Sequence, residues 1–110
     1  MSYFAVFDGH NGVEAASYCA SQLHQNLIRN LSMEFSMEDA LINAFSNTDI
    51  AFLKKCREER LKSGATAVVT VLTPEKLFVA WAGDSQAVLA KKTEIIDLVV
   101  PHKPEREVRI

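Results

Sequence analysis

The pattern of apolar and polar residues begins with a strand followed by a helix. Residues 3–7 (YFAVF) are a continuous apolar run bounded by turn-forming residues, which predicts a buried β-strand. Apolar residues then recur at spacings of three and four, as on one face of an amphipathic helix: Val13, Ala16, Ala20, Leu23 and Leu27. We expect this helix to end near Asn30.

A second helix is predicted to begin at Ser36. Its hydroxyl lies three residues before Asp39, a spacing that suits capping of free backbone N–H groups. The apolar face that follows contains Leu41, Phe45, Thr48 and Phe52. A basic and acidic stretch at 54–60 is expected on a solvated face, with Gly64 just past the end of the helix.

The period changes to two from Ala65 onward, which predicts strands. Residues 66–72 and 77–82 form a hairpin around a turn at 73–76, where proline suits the second position. Further strands are predicted at 86–90 and 95–100, before a charged tail. The sequence thus predicts an α+β fold in the order strand, helix, helix, strand meander, with 1–110 as a single unit.

Composition and charge narrow the class of protein. The chain has 110 residues, 48% of them apolar, and only seven are glycine or proline, which excludes a disordered or collagen-like chain. The formal net charge of −2 is unlike that of most nucleic-acid binders. Without a signal peptide or a long apolar run, we expect an intracellular protein with packing thiols at Cys19 and Cys56.

The charge is unevenly distributed. Residues 1–50 contain six acids and one base, a net of −5, whereas residues 51–110 have a net of +3. The acidic half could hold a cation, or its acids could lie on solvated helix faces.

Two acidic turns follow apolar strands: Asp8-Gly9-His10 and Gly83-Asp84-Ser85. Carboxylates at such positions suit Mg²⁺ or Mn²⁺, which take oxygen ligands. Gly9 would let an ion approach a backbone carbonyl, and His10 could donate or accept a proton. The alternative is a plain turn with a surface histidine.

Four ordered segments carry a resemblance to a known family. They are 3–12 (YFAVFDGHNG), 63–67 (SGATA), 79–86 (VAWAGDSQ) and 102–104 (HKP). These segments resemble the FxVxDGHGG, SGTTA, VANxGDSR and HKP motifs of the metal-dependent type 2C serine/threonine protein phosphatases. Trp81 and Gln86 look most like the calmodulin-kinase phosphatase branch. The family fold implied is a four-layer α/β/β/α sandwich, of which 1–110 would be a partial catalytic domain.

The resemblance implies roles for four residues. Asp8 resembles the carboxylate that bridges two catalytic metal ions, Mg²⁺ or Mn²⁺, and Gly9 the residue whose carbonyl binds one of them. His10 resembles the general acid that protonates the leaving alkoxide of phosphoserine or phosphothreonine. Asp84 resembles the aspartate linked to a third, weaker metal position. The substrate-binding residues are not identified, and the substrates implied are phosphoproteins. We expect the protein itself in the cytoplasm, with the nucleus as a second compartment.

Departures from the family pattern limit the activity expected of this chain. Asn11 stands where the family has a glycine, and asparagine tolerates a positive φ better than most residues. Ala65 stands where the family has a hydroxyl residue. The family domain is more than twice as long, and its other metal-binding acids and its phosphate-binding arginine have no match here. We therefore expect weak or absent metal binding, an inactive isolated chain and self-association through open strand edges. We expect no nucleic-acid or membrane partner.

Two alternative functions remain at this point. The first is a non-catalytic, phosphatase-like binding or regulatory module. The second is another Mg²⁺-dependent phosphotransfer protein with a strand-end aspartate as nucleophile, which would want a DxD-type repeat that Asp8-Gly9-His10 lacks.

Overall fold

The computed structural model describes residues 1–82 with their side chains, and the backbone of residues 88–90, 95–97 and 105–109. The chain forms two compact units, one of residues 7–65 and one of residues 1–6 and 66–110. The expected single unit over 1–110 stays a prediction. The segments 83–87 and 101–104, with Asp84 and the HKP residues, lie outside the described residues.

The order of elements is that of an α+β fold and confirms the predicted fold class. The elements are β1 (Ser2–His10), α1 (Glu14–Ser32), α2 (Met37–Glu59), β2 (Gly64–Leu72), β3 (Lys76–Ala82), β4 (Val88–Ala90), β5 (Ile95–Asp97) and β6 (Glu105–Arg109).

Strands β2 and β3 form the predicted antiparallel hairpin in the middle of a four-stranded sheet. Their register runs from Leu72 opposite Leu77 to Ala67 opposite Ala82. The side chains of Val69, Val71 and Val79 are fully buried, as expected of β-branched residues in central strands.

The predicted meander is wrong beyond β3. The sheet order is β1-β2-β3-β6, and β6 pairs antiparallel with β3, whereas β4 and β5 form a separate two-stranded sheet. Strand β6 was not predicted, because its sequence (EREVR) is charged and lacks the apolar pattern of a strand. Its pairing with β3 is a long-range contact that local periodicity does not report.

Strand β1 is a strand as predicted, but it is not buried. It lies at one edge of the described sheet, and its side chains alternate between half-buried and exposed. Phe4 is 62% exposed and Val6 67% exposed. An apolar run predicts burial on both faces, yet an edge position leaves one face of this strand open.

Helices α1 and α2 pack against each other within the 7–65 unit. Leu23 and Leu27 are buried on α1, as the spacing predicted, whereas Val13 and Ala20 are exposed. Two asparagines and a threonine share the buried interface: the Asn26 side-chain amide donates to Oγ1 of Thr48 at 2.9 Å, and Asn30 donates to Oδ1 of Asn47 at 3.1 Å.

The ends of α2 show one prediction confirmed and one corrected. The Ser36 hydroxyl accepts a hydrogen bond from the backbone N–H of Asp39 at 3.2 Å, which is the predicted cap. The helix ends at Glu59, and Arg60 takes the left-handed position with φ of 56°. Gly64 does not end this helix; it begins β2.

Candidate functional site

The Asp8-Gly9-His10 segment forms the last three residues of β1. Because successive strand side chains point to opposite faces, Asp8 and His10 lie on the same face of β1. Asp8 and His10 are both exposed. A carboxylate and an imidazole are thus presented side by side to solvent at the end of one strand.

A tight turn separates this segment from α1. Asn11 has φ of 55° and Gly12 has φ of 119°. The first value confirms that asparagine can adopt the backbone conformation required at a position where the family prefers glycine. The second lies in a region that L-residues rarely adopt, so Gly12 is needed for its backbone conformation.

Gly9 allows a close approach between β1 and the first turns of α1. A Cβ at this position would lie 3.2 Å from Cβ of Ala16 and 3.2 Å from the carbonyl oxygen of Gly12. The sequence suggested that this glycine admits a ligand to a carbonyl. The contacts show a packing reason for a glycine here as well.

The sequence predicted no role at this site for two residues of the SGATA segment, Ser63 and Gly64. Ser63 is buried, and its hydroxyl accepts a hydrogen bond from the backbone N–H of Ala15 at 3.1 Å. Gly64 lies against the imidazole of His10. The signal was the SGATA segment itself, but only the three-dimensional contacts connect it to His10.

The site offers oxygen ligands of the type that a hard cation binds, but the described part of the chain offers too few of them to hold a metal ion. Asp8 supplies a carboxylate oxygen and Gly9 a carbonyl oxygen, which are the ligand types that Mg²⁺ and Mn²⁺ take. Within the described residues, no group of three or more His, Cys, Asp or Glu side chains could hold a metal ion. The expected partner Asp84 lies outside the described residues.

Four other acids lie on exposed surfaces: Glu34, Glu38, Glu58 and Glu59. The guanidinium of Arg29 is also on an exposed residue and donates to the side-chain oxygen of Asn26 at 3.2 Å. No helix in the described part of the chain is long and apolar enough to cross a lipid bilayer.

Comparison with known proteins identifies the family. The family model for protein phosphatase 2C matches residues 1–108. Human protein phosphatase 1F is 46% identical over 106 residues, which are 96% of this chain and 23% of that protein. A solved structure of a sex-determining protein from C. elegans matches 94% of this chain and 26% of its own, with a TM-score of 0.85 and 30% identity.

A second solved structure, a serine-threonine phosphatase 2C from Toxoplasma gondii, has the same fold. It matches with a TM-score of 0.74 and 23% identity over 93% of this chain and 40% of its own. The chain therefore belongs to the protein phosphatase 2C family, and the resemblance of its motifs is confirmed. It spans less than a quarter of the length of the human relative, 23%.

Proposed function

We propose that this chain contributes the Asp8–His10 part of a metal-dependent phosphatase site that hydrolyses phosphoserine and phosphothreonine in proteins. The observation that carries the proposal is the shared, exposed face of Asp8 and His10 at the end of β1, in a chain whose residues 1–108 match the protein phosphatase 2C family. We place the protein in the cytoplasm, with the nucleus as a second compartment.

In this proposal, one set of residues holds metal ions and another residue donates a proton. Asp8, Gly9 and Asp84 would hold Mg²⁺ or Mn²⁺ through oxygen atoms. Such ions, when bound, supply a water of lowered pKa and neutralise phosphate charge. The imidazole of His10 would donate a proton to the leaving alkoxide, which is a strong base and departs poorly without one. No protein nucleophile is required, so neither cysteine takes part.

The isolated 110-residue chain should be inactive. A pair of divalent ions shares several carboxylates, and the described residues contain no cluster of three or more metal-ligating side chains. This shortage supports the alternative function, a non-catalytic phosphatase-like module that retains the fold. The open edge of β1 would favour self-association of the isolated chain.

A chimera separates the two functions. Residues 1–108 would replace the matching segment of human protein phosphatase 1F, and hydrolysis of a phosphothreonine peptide with Mn²⁺ would be measured. We expect turnover, its loss in Asp8→Ala, and a fall in kcat of about 10²–10⁴-fold in His10→Gln. Glu58→Gln, an exposed acid on α2, is the matched control and should leave kcat unchanged.

The isolated chain needs its own assay. We expect no hydrolysis of an aryl phosphate with Mn²⁺, and divalent-ion binding in the millimolar range or weaker by calorimetry. Turnover that Asp8→Ala abolishes would refute the inactivity. A folded but inactive chimera would favour the non-catalytic module.

A further inference from the structure

We infer that Ser63 and Gly64 are positioning residues for the imidazole of His10. Both lie in the same compact unit as His10, residues 7–65, although they are more than 50 positions away along the chain. The significance for catalysis rests on the proposed proton donation by His10, whereas the positioning itself can be tested without any activity.

The imidazole of His10 leaves no room for a side chain at Gly64, and this contact, not the backbone conformation, favours a glycine there. Gly12 is the glycine with positive φ in the described part of the chain, so the backbone at Gly64 is one that other residues adopt. A Cβ built at Gly64 would come within contact of Nε2 of His10 and lie 2.8 Å from its Cε1. Any side chain at position 64 would therefore displace the imidazole.

The contact matters because it restricts the imidazole of a residue that is otherwise open to solvent on one side. His10 is exposed, and an exposed side chain ordinarily samples several rotamers. The backbone at Gly64 forms a wall that the imidazole lies against. A general acid must be held in a defined orientation toward the proton acceptor, so such a wall favours the proposed role.

Ser63 fixes this wall relative to the first turn of α1. Val13, the residue at the N-cap of α1, makes no side-chain capping bond, and the buried Ser63 hydroxyl instead accepts from the N–H of Ala15 at 3.1 Å. The first turn of α1, which follows His10 by a few residues, is thus bonded to the residue next to Gly64. Ser63 and Gly64, near the end of the 7–65 unit, thus restrain the imidazole of His10, near its start.

The test follows the His10 side chain by NMR at one fixed pH in the full 110-residue chain, without metal. His10→Gln assigns the His10 imidazole signals, and His24 on α1 serves as an internal reference. We expect Gly64→Ala to shift the His10 Hε1 signal and abolish its NOE to the residue 64 backbone. Lys62→Ala, an exposed neighbour, should change neither. An unshifted His10 signal in Gly64→Ala would overturn the inference.

Urea unfolding gives a second measurement in case Gly64→Ala folds poorly. We expect Gly64→Ala to lower the unfolding midpoint more in the parent chain than in a His10→Ala background, where the space is empty. Equal losses in both backgrounds, or failure of the double variant to fold, would overturn the inference. Ser63→Ala should shift the His10 signal by less than Gly64→Ala does, and no shift would remove Ser63 from the inference.

These outcomes are distinguishable from failure of the proposed function. In the chimeric phosphatase, Gly64→Ala should lower kcat more than it raises KM, because an imidazole out of place affects proton transfer more than binding. An inactive chimera with a shifted His10 signal would refute the catalytic function and leave the positioning intact. An active chimera in which Gly64→Ala leaves kcat unchanged would count against the positioning role.

Discussion

The hairpin β2–β3 and the helix pair α1–α2 are both buried, but by different kinds of contact. The centre of the hairpin is apolar, and Val69, Val71 and Val79 have no exposed surface. The helix pair combines Leu23 and Leu27 with buried hydrogen bonds, chief among them Asn26 to Thr48.

The difference determines how each region would respond to substitution. Apolar burial depends on volume and close packing, so a lost methyl group leaves a cavity. A buried amide is tolerated only while its partner remains, because an unpaired polar group carries the full cost of desolvation. The hairpin should therefore be most sensitive to truncation and the helix pair to loss of a hydrogen-bond partner.

The largest effect is expected for Val69→Ala in β2. Removing two methyl groups from a fully buried site should lower the free energy of unfolding by about 2.5 kcal/mol. The same substitution at the exposed Val6 in β1 should change it by less than about 0.5 kcal/mol. Urea titration of both variants measures the contrast, and similar losses would show that β1 is covered in solution.

A smaller loss is expected when the helix pair loses its amide. Asn26→Ala removes the bond to Oγ1 of Thr48 and should lower the free energy of unfolding by about 1.5 kcal/mol. Gln25→Ala is the matched control, because that amide is on the exposed side and bonds only to its own helix at Ser21. If both variants lost the same amount, the buried bond would add nothing beyond helix propensity.

The cap of α2 should contribute less again. Ser36→Ala removes the acceptor for the N–H of Asp39 and should lower the free energy of unfolding by about 1 kcal/mol. Ser46→Ala, in the interior of the same helix and exposed, should be neutral or slightly stabilising, since alanine has the higher helix propensity. A loss at Ser46 equal to that at Ser36 would contradict the capping role.

The same two regions show what the sequence could and could not predict. The hairpin was predicted nearly to its ends, because a period of two and a proline turn are local signals. In the helix pair, Asn26 and Asn30 were missed, since an amide counts as polar in a periodicity analysis even when a partner across the interface satisfies it. The exposure of β1 and the pairing of β6 with β3 are decided by neighbours distant in sequence.

The site divides in the same way. Asp8, Gly9 and His10 were recognisable from a contiguous motif, and their roles remain predictions. The contacts of Ser63 with Ala15 and of Gly64 with His10 join segments about 50 residues apart, so no local pattern reports them.

The smallest effect is a pH dependence confined to the helix pair. Partial burial, and secondarily the negative charge of Asp49, raise the pKa of the Cys19 thiol above its ordinary value of 9.0. The unfolded chain therefore loses this proton at lower pH than the folded chain does. Stability is unaffected below about pH 8, and above about pH 9 it falls as pH rises, because the unfolded state then binds fewer protons than the native state.

Cys19→Ala should abolish this part of the alkaline slope, and Asp49→Asn should reduce it by less, because desolvation is the larger cause. Thermal unfolding of the parent chain and both variants between pH 7 and about pH 10, under reducing conditions, measures the slopes. A parent slope that Cys19→Ala leaves unchanged would assign the alkaline loss to other groups. A larger effect from Asp49→Asn than from Cys19→Ala would make charge, and not burial, the dominant influence on this thiol within the helix pair.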